Sequence, residues 1–148
     1  EFVIHERQVQ EARDRGADSV LLIARIVTPA RLADLAAAAR AERMEPLVEV
    51  VDEREVEAAA QAQARLIGVN ARDLDTLEMD LVRAGRVLQA IPPPIVAIHL
   101  SGLREASDVA AIARGRADAA LVGEGLMRAD DPRPYLQRMA AAARGESS

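Results

Sequence analysis

At 148 residues, with 50% hydrophobic and 29% charged residues, the chain has the length and composition of one domain with a sizeable core. Its net charge of −5 and its two aromatic residues, Phe2 and Tyr135, argue against nucleic-acid binding, which needs a basic surface and stacking platforms. The sequence has no cysteine, which excludes disulfides and thiolate chemistry, and its apolar runs are shorter than the ~18 residues of a membrane span, so we expect a cytoplasmic protein.

Strand-like and helical segments alternate along the whole chain. Residues 1–4 resemble the end of a strand that is already under way, so the chain looks cut. Helical spacing at 6–15 then ends at Gly16, and a helix follows each later strand. Residues 145–148 are expected to be a disordered tail on a domain of residues 1–144. The predicted strands are residues 19–27, 47–51, 66–69, 95–99 and 119–122.

Two helix starts carry capping signals. Thr28 is suited to be an N-cap and Pro29 to be the first residue of the helix that follows. Asp52 can cap the next helix, and Glu55, three residues later, would complete a capping box. These signals place helices directly after the first two predicted strands.

The alternation predicts a parallel α/β sheet built from right-handed crossovers. An open doubly wound sheet usually carries its glycine-rich phosphate turn near the first strand, whereas a (β/α)8 barrel binds phosphate after its last two strands. The glycine-rich turns of this chain follow its last two strands. Because a whole barrel needs ~250 residues, the sequence predicts a partial TIM barrel, roughly strands 4 to 8 with a stub of strand 3.

Polar residues follow the predicted strands at their C-terminal ends, where parallel α/β proteins bind ligands. Glu49 lies inside an apolar strand, which indicates a functional carboxylate or a glutamate that pairs with an arginine in a helix–sheet crevice. Asn70 can donate and accept hydrogen bonds. Arg72 offers a planar fork for a carboxylate, and it is equally suited to pair with Asp73 or Asp75.

Glycines mark three places where backbone or ligand can approach closely. Gly68 lies in the strand that leads to Asn70. The turns Ser101-Gly102 and Gly123-Glu124-Gly125 each precede a predicted helix, so their N–H groups and the helix dipole favour a phosphate. No metal-ligand spacing is present. His5 and His99 are expected to be hydrogen-bonded structural residues.

Four segments, in this order, resemble the indole-3-glycerol-phosphate synthase family of tryptophan biosynthesis, from residue 1 to the last helix. They are SVLLIARI at 19–26, EPLVEV at 45–50, LIGVNARDL at 66–74 and LVGEGLM at 121–127. The resemblance implies a barrel enzyme that closes the indole ring of 1-(2-carboxyphenylamino)-1-deoxyribulose 5-phosphate. The reaction releases carbon dioxide and water, and no cofactor is implied.

The resemblance also implies a role for each candidate residue. Glu49 is expected to be the acid/base carboxylate, and Asn70 to hold the substrate near its reacting hydroxyls. Arg72 matches the contact with the substrate carboxylate, and Leu21 and Leu74 match positions that pack on the aromatic ring. The positions that match the phosphate site are Ser101, Gly102, Gly123 and, through its backbone, Glu124.

Two departures from the family bear on activity. Leu100 stands where the family usually has a glutamate before the Ser-Gly pair, and the family's catalytic lysines have no counterpart in the 148 residues. We therefore expect these residues alone to be inactive, and we expect their open sheet edges to self-associate or to pair with the missing barrel half. A phosphate-binding half-barrel without chemistry is the alternative. Phosphoribosylanthranilate isomerase fits less well, because it lacks the strand glutamate and the Asn-x-Arg-Asp-Leu segment.

Overall fold

The structure is a computed structural model, and it describes residues 2–73 and 77–146. Strands and helices alternate within these residues, and a short 3₁₀ turn (Ala24–Ile26) follows the first strand. The strands are β1 (Ser19–Ile23), β2 (Glu45–Val50), β3 (Leu66–Val69), β4 (Val96–His99) and β5 (Ala119–Ala120). The helices are α1 (Glu6–Asp14), α2 (Pro29–Ala41), α3 (Glu53–Gln61), α4 (Leu81–Ala90), α5 (Ala106–Ala113), α6 (Glu124–Arg128) and α7 (Pro132–Ala143).

The strands form one parallel sheet in the order β1-β2-β3-β4-β5. This order confirms the predicted parallel α/β fold, in which each strand is followed by a crossover to its neighbour. The register aligns Ile23, Glu49, Gly68 and Ile98 across the first four strands. Since side chains alternate between the faces of a strand, these four residues share one face of the sheet.

The core lies on the opposite, helix-covered face. Full burial of each valine, leucine or isoleucine side chain there contributes about 1.5–3 kcal/mol to stability. Aliphatic residues build this core, since the chain has only two aromatic residues. Its fully buried members include Leu22, Leu32, Leu35, Ala36, Ala39, Val48, Val50, Ala59, Ile67, Val69, Ala84, Val87 and Ala97. The other face carries half-buried apolar side chains, which are Leu21, Leu47, Leu66, Val96 and Ile98.

The capping predictions are confirmed for two helices, with one correction. The Thr28 side chain accepts a hydrogen bond from the Arg31 N–H at 3.2 Å, and Pro29 is the first helical residue. Asp52 accepts from the Glu55 N–H at 2.9 Å. The expected return bond of the capping box does not form, because Glu55 Oε2 accepts from the Val51 N–H, at 2.7 Å, and not from Asp52.

The segments that differ from expectation do so for local reasons. Residues 2–4 form no strand within the described chain, because side chains bind their backbone: Gln8 accepts from the Ile4 N–H at 2.8 Å and donates to the Phe2 carbonyl at 2.9 Å. The first strand stops at Ile23, where the 3₁₀ turn begins. The five-residue helix α6 was not predicted. None of the described helices is long and apolar enough to cross a membrane.

Candidate active site

Glu49 and Asn70 lie next to each other at the C-terminal ends of β2 and β3. Glu49 is 7% exposed, and its register with Gly68 places it on the face away from the helices. Asn70 Nδ2 donates a hydrogen bond to Glu49 Oε1 at 2.9 Å. The carboxylate therefore pairs with an amide on the open face of the sheet, and not with an arginine in a helix–sheet crevice.

Ser101, which follows β4, fixes the orientation of the Asn70 amide. Ser101 Oγ donates to Asn70 Oδ1 at 2.6 Å, and the Arg72 N–H donates to the same oxygen at 2.9 Å. Both lone pairs of Oδ1 are thereby used. Asn70 thus donates and accepts hydrogen bonds at once within the protein, and toward a ligand it offers its one remaining N–H hydrogen.

The Ser101 hydroxyl has no capacity left for a phosphate. Besides donating to Asn70, it accepts hydrogen bonds from the Ala71 N–H at 3.0 Å and the Arg72 N–H at 3.2 Å. A hydroxyl has one donor hydrogen and two acceptor lone pairs. The hydroxyl is therefore engaged within the protein, and the phosphate role of Ser101 stays a prediction, in which its backbone N–H would be the donor.

Arg83, in the first turn of α4, holds the ends of β2 and β3 together. Its Nη1 donates to the Val51 carbonyl at 2.6 Å, and its Nη2 donates to the carbonyls of Ala71 at 3.0 Å and Asn70 at 3.4 Å. These carbonyls lie at or close to Glu49 and Asn70 in sequence. Arg83 therefore fixes the spacing of the two strand ends, a role that its position near a helix start did not reveal.

Arg25 connects three loops at the same edge of the sheet. Its guanidinium lies 3.1 Å from Glu55, 3.7 Å from Asp52 and 3.7 Å from Asp73. Arg25 thus pairs with two carboxylates at the start of α3 and with one in the loop after β3.

The space over Gly68 is filled by Leu100. A Cβ atom at Gly68 would lie 2.5 Å from Leu100 Cδ1 and 2.7 Å from its Cγ, so a side chain there would displace Leu100. Neither another backbone nor a free cleft occupies this position. Leu100 therefore covers the strand next to Glu49.

The expected substrate contacts are spread over this edge. Arg72 donates from Nη1 to the Leu77 carbonyl at 3.3 Å, and its backbone pairs with Met79. Leu21 shares the open face with Glu49, but it pairs with Leu47 and lies one layer further from the C-terminal edge. Leu74 lies outside the described residues.

The first glycine turn leads to a helix start that is already satisfied. Gly102 has a φ of +86°, in the left-handed region that favours glycine. Asp108 of α5 accepts hydrogen bonds from the N–H groups of Arg104 and Glu105, each at 2.9 Å. Since carboxylates cap this helix, its N-terminus attracts a phosphate less than the sequence indicated.

The second glycine turn is open. Gly123 is the N-cap of α6 without a side-chain cap, and a Cβ atom there would meet nothing within 4 Å. Glu124 is the first helical residue, so its N–H has no partner within the helix. Its carboxylate pairs with Arg128 at 2.9 Å. A short extra helix after the last strand is where TIM barrels frequently bind phosphate.

Within residues 2–73 and 77–146, no three acidic or histidine side chains cluster in a way that could hold a metal ion. The charged groups at the C-terminal edge pair with each other or bind backbone groups, as Arg25 and Arg83 do. The arrangement is therefore suited to binding and proton transfer by side chains and backbone N–H groups.

Comparison with known proteins identifies the family. The family model of indole-3-glycerol phosphate synthase matches residues 1–139. The chain belongs to this family. It is 48% identical over 132 residues to indole-3-glycerol phosphate synthase 2 of Streptomyces coelicolor, covering 89% of this chain and 51% of that protein. It is 40% identical over 142 residues to the Mycobacterium ulcerans synthase, covering 96% and 52%. The chain thus spans about half the length of the curated relatives it matches.

A solved structure places this indole-3-glycerol phosphate synthase family member in the expected fold. The 3-hexulose-6-phosphate synthase of Salmonella typhimurium superposes with a TM-score of 0.81, covering 98% of this chain and 71% of that one. The sequence identity is 16%, so this likeness concerns the fold alone. Together with the parallel sheet, it agrees with the predicted partial barrel.

Tyr135 of α7 connects the two glycine turns of this indole-3-glycerol phosphate synthase family member. Its hydroxyl donates to the Arg104 carbonyl at 2.8 Å, in the loop after β4. The same hydroxyl occupies the space where a Cβ atom of Gly125 would lie. Sequence reasoning missed this role, although Tyr135 is one of the two aromatic residues.

Proposed function

We propose that the protein containing this chain is an indole-3-glycerol phosphate synthase, which closes the indole ring of 1-(2-carboxyphenylamino)-1-deoxyribulose 5-phosphate with loss of carbon dioxide and water. The observation that carries the proposal is the hydrogen-bonded series Glu49–Asn70–Ser101 across the ends of three neighbouring strands. TIM-barrel active sites lie at this edge of the sheet. Family membership supplies the reaction.

In this proposal Glu49 transfers protons, because its buried carboxylate lies on the open face. Asn70 holds that carboxylate and donates its remaining N–H hydrogen to a substrate hydroxyl. Ser101 is a positioning residue, since it acts through Asn70. Arg72 binds the substrate carboxylate, and the residues that pack on the aromatic ring are Leu21 and Leu74.

Ring closure also needs an acid or a cation near the departing oxygen. The family resemblance assigns this role to lysines, and the 148 residues contain none. We infer that residues outside these 148 supply the acid. Residues 1–148 alone should then form no measurable indole-3-glycerol phosphate in a fluorescence assay. Turnover by these residues alone would contradict this division of the site.

The role of Glu49 is tested in the protein that contains this chain and catalyses the reaction. Glu49→Gln should lower kcat about a hundredfold or more, the usual contribution of a general acid or base. Glu45→Gln is the matched control, because Glu45 lies on the same strand at its other end and pairs with Arg65 at 3.6 Å. Equal activity of the two variants would refute the role of Glu49.

Leu100→Glu, in the same protein, tests the departure from the family. The new carboxylate would stand over Gly68, next to Glu49. If the departure lowers activity, kcat should rise in this variant. An unchanged kcat would mean that the site tolerates leucine.

The phosphate part of the proposal rests on backbone N–H groups. Gly102, Gly123 and Glu124 follow neighbouring strands, and the last two lie at the uncapped start of α6. Titration with millimolar inorganic phosphate should move the amide resonances of these three residues. The Gly16 amide is the control, because its N–H binds the Arg13 carbonyl at 2.8 Å. Unmoved amides at the three positions would refute the phosphate site.

A second candidate function is a phosphate-binding half-barrel that self-associates. It is favoured by the half-buried apolar face of the sheet and by the two edge strands, β1 and β5. Sedimentation of residues 1–148 at several concentrations should show oligomers. A monomer of 15.9 kDa at every concentration would exclude this candidate.

A further inference from the structure

A cavity of about 280 Å³ lies between α4 and α5, on the helix-covered side of β4. It is separate from the candidate active site, because Leu100 and Ser101 serve the opposite face and the strand end. Apolar side chains form most of its walls. A Cβ atom at Gly85 would meet nothing within 4 Å, so this glycine leaves the space open. The walls include Leu81, Gly85 and Leu88 of α4 and Ala111 and Ile112 of α5.

His99 of β4 also lines the cavity, and it lacks a hydrogen-bonding partner. Its side chain is 1% exposed, and neither ring nitrogen makes a hydrogen bond with a described residue. This corrects the expectation that His99 is a satisfied structural histidine. A buried polar group without a partner costs free energy, so such groups nearly always have one.

Burial lowers the pKa of His99 below its ordinary value of 6.5. The Ser101 backbone lies close enough to oppose this shift, although it does not reach hydrogen-bonding geometry with either nitrogen. The imidazole is therefore neutral at pH 7, and it offers one donor and one acceptor to the cavity.

The charged side chains that line the cavity are already paired. Asp108 accepts two backbone hydrogen bonds at the start of α5. Arg116 donates to the carbonyls of Ile91 at 3.2 Å and Ile95 at 2.7 Å and pairs with Asp118 at 2.6 Å. An ionic ligand would lose its hydration here without gaining a partner. An uncharged ligand with one polar group matches the cavity.

We propose that this cavity binds a small, uncharged aromatic molecule with one hydrogen-bonding group, which His99 contacts. A sealed apolar cavity of about 150 Å³ is enough for benzene; this one is larger, and because Gly85 and Ala111 are exposed it opens to solvent on one side, so a single ring can enter and reach His99. Small residues on both helices, Gly85 and Ala111, leave room for a ring between them. The site is independent of the proposed synthase activity.

The test uses phenol as the probe and toluene as its match without a hydroxyl. Ring-current shifts are expected at the methyl groups of Leu81, Leu88 and Ile112, where two native aromatics in the whole chain give little background. Phenol should bind several-fold and up to about tenfold more tightly than toluene, the net value of one hydrogen bond. Phenol, and not toluene, should move the ring nitrogen resonances of His99.

Two variants separate the contribution of the His99 hydrogen bond from that of the space in the cavity. His99→Leu should make phenol and toluene equal, and Gly85→Leu should fill the cavity and abolish both. Arg86→Leu, at an exposed position of the same helix, is the control that should keep binding. Amide spectra show whether each variant folds. If one does not fold, the His99 nitrogen shifts on adding phenol to the unmodified protein still test the proposal. Absent methyl shifts, equal affinities for the two probes or a phenol preference in His99→Leu would overturn the proposal.

Discussion

Replacing Arg83 with methionine removes the guanidinium that joins the ends of β2 and β3, and it keeps an unbranched side chain suited to a helix. Two hydrogen bonds of normal length are lost, to the carbonyls of Val51 at 2.6 Å and Ala71 at 3.0 Å. The Ala71 carbonyl keeps the Asp80 N–H at 2.9 Å, whereas the Val51 carbonyl loses its charged donor. A hydrogen bond to a charged group contributes about 1.5–3 kcal/mol. We expect a loss of about 2 kcal/mol in the free energy of unfolding, within this range.

Urea unfolding measures this loss as a lower midpoint at an unchanged slope. With a slope of about 1–3 kcal/mol per molar urea, the midpoint should fall by roughly 1 M. Arg86→Met is the matched control, because Arg86 is an exposed arginine on the same helix, and it should cost less than about 0.5 kcal/mol. Hydrogen exchange at the Asn70 N–H, which binds the Val50 carbonyl at 2.9 Å, should be faster only in Arg83→Met. Equal midpoints for the two variants would refute the role of Arg83.

Three further predictions concern stability. Ser101→Ala should lower the free energy of unfolding by about 1–3 kcal/mol in a urea titration, because it leaves the Ala71 N–H unpaired and removes a donor from Asn70 Oδ1, while the Arg72 N–H keeps its bond to Asn70. Ser107→Ala, whose exposed hydroxyl makes one 3.4 Å bond, should change it by less than about 0.5 kcal/mol. Because burial lowers the pKa of His99 in the folded protein, the unfolded chain takes up a proton at a higher pH than the folded chain does. The free energy of unfolding should therefore be highest above pH 6.5 and should fall as the pH decreases towards the lowered pKa. His99→Leu should lose this part of the pH dependence, and an unaltered profile would contradict the assignment. Gly85→Ala, inside α4 and facing open space, should raise the free energy of unfolding by about 0.5–1 kcal/mol in thermal melts, and a loss would indicate that the cavity does not accept the methyl group.

Patterns along the chain predicted the sheet because strand and helix periodicities are local properties. For Glu49 they predict the face of the sheet on which the side chain lies, but not the residue with which it pairs. Its neighbour Val48 is fully buried against the helices, so alternation alone places Glu49 on the other face. The side chain that pairs with Glu49 comes from another strand, 21 residues away, and alternation cannot identify it.

The remaining differences from the sequence-based expectations concern tertiary partners and one short helix. The donor role of Asn70 depends on Ser101, which lies 31 residues further along the chain. The Arg83 contacts involve backbone carbonyls, which leave no signature in a sequence. The helix α6 has five residues and none of them is buried, so no apolar periodicity announces it. His99 was expected to be hydrogen-bonded, and its lack of a partner follows from the tertiary packing around the cavity that it lines.

The separation of the two sheet faces has a consequence for how this sequence can change over time. Val48, Val50, Ile67 and Val69 are fully buried on one face. Residues between them on the other face, such as Glu49, contribute little to that packing. Substitutions that alter ligand chemistry on the open face can therefore accumulate one at a time while the folded scaffold persists.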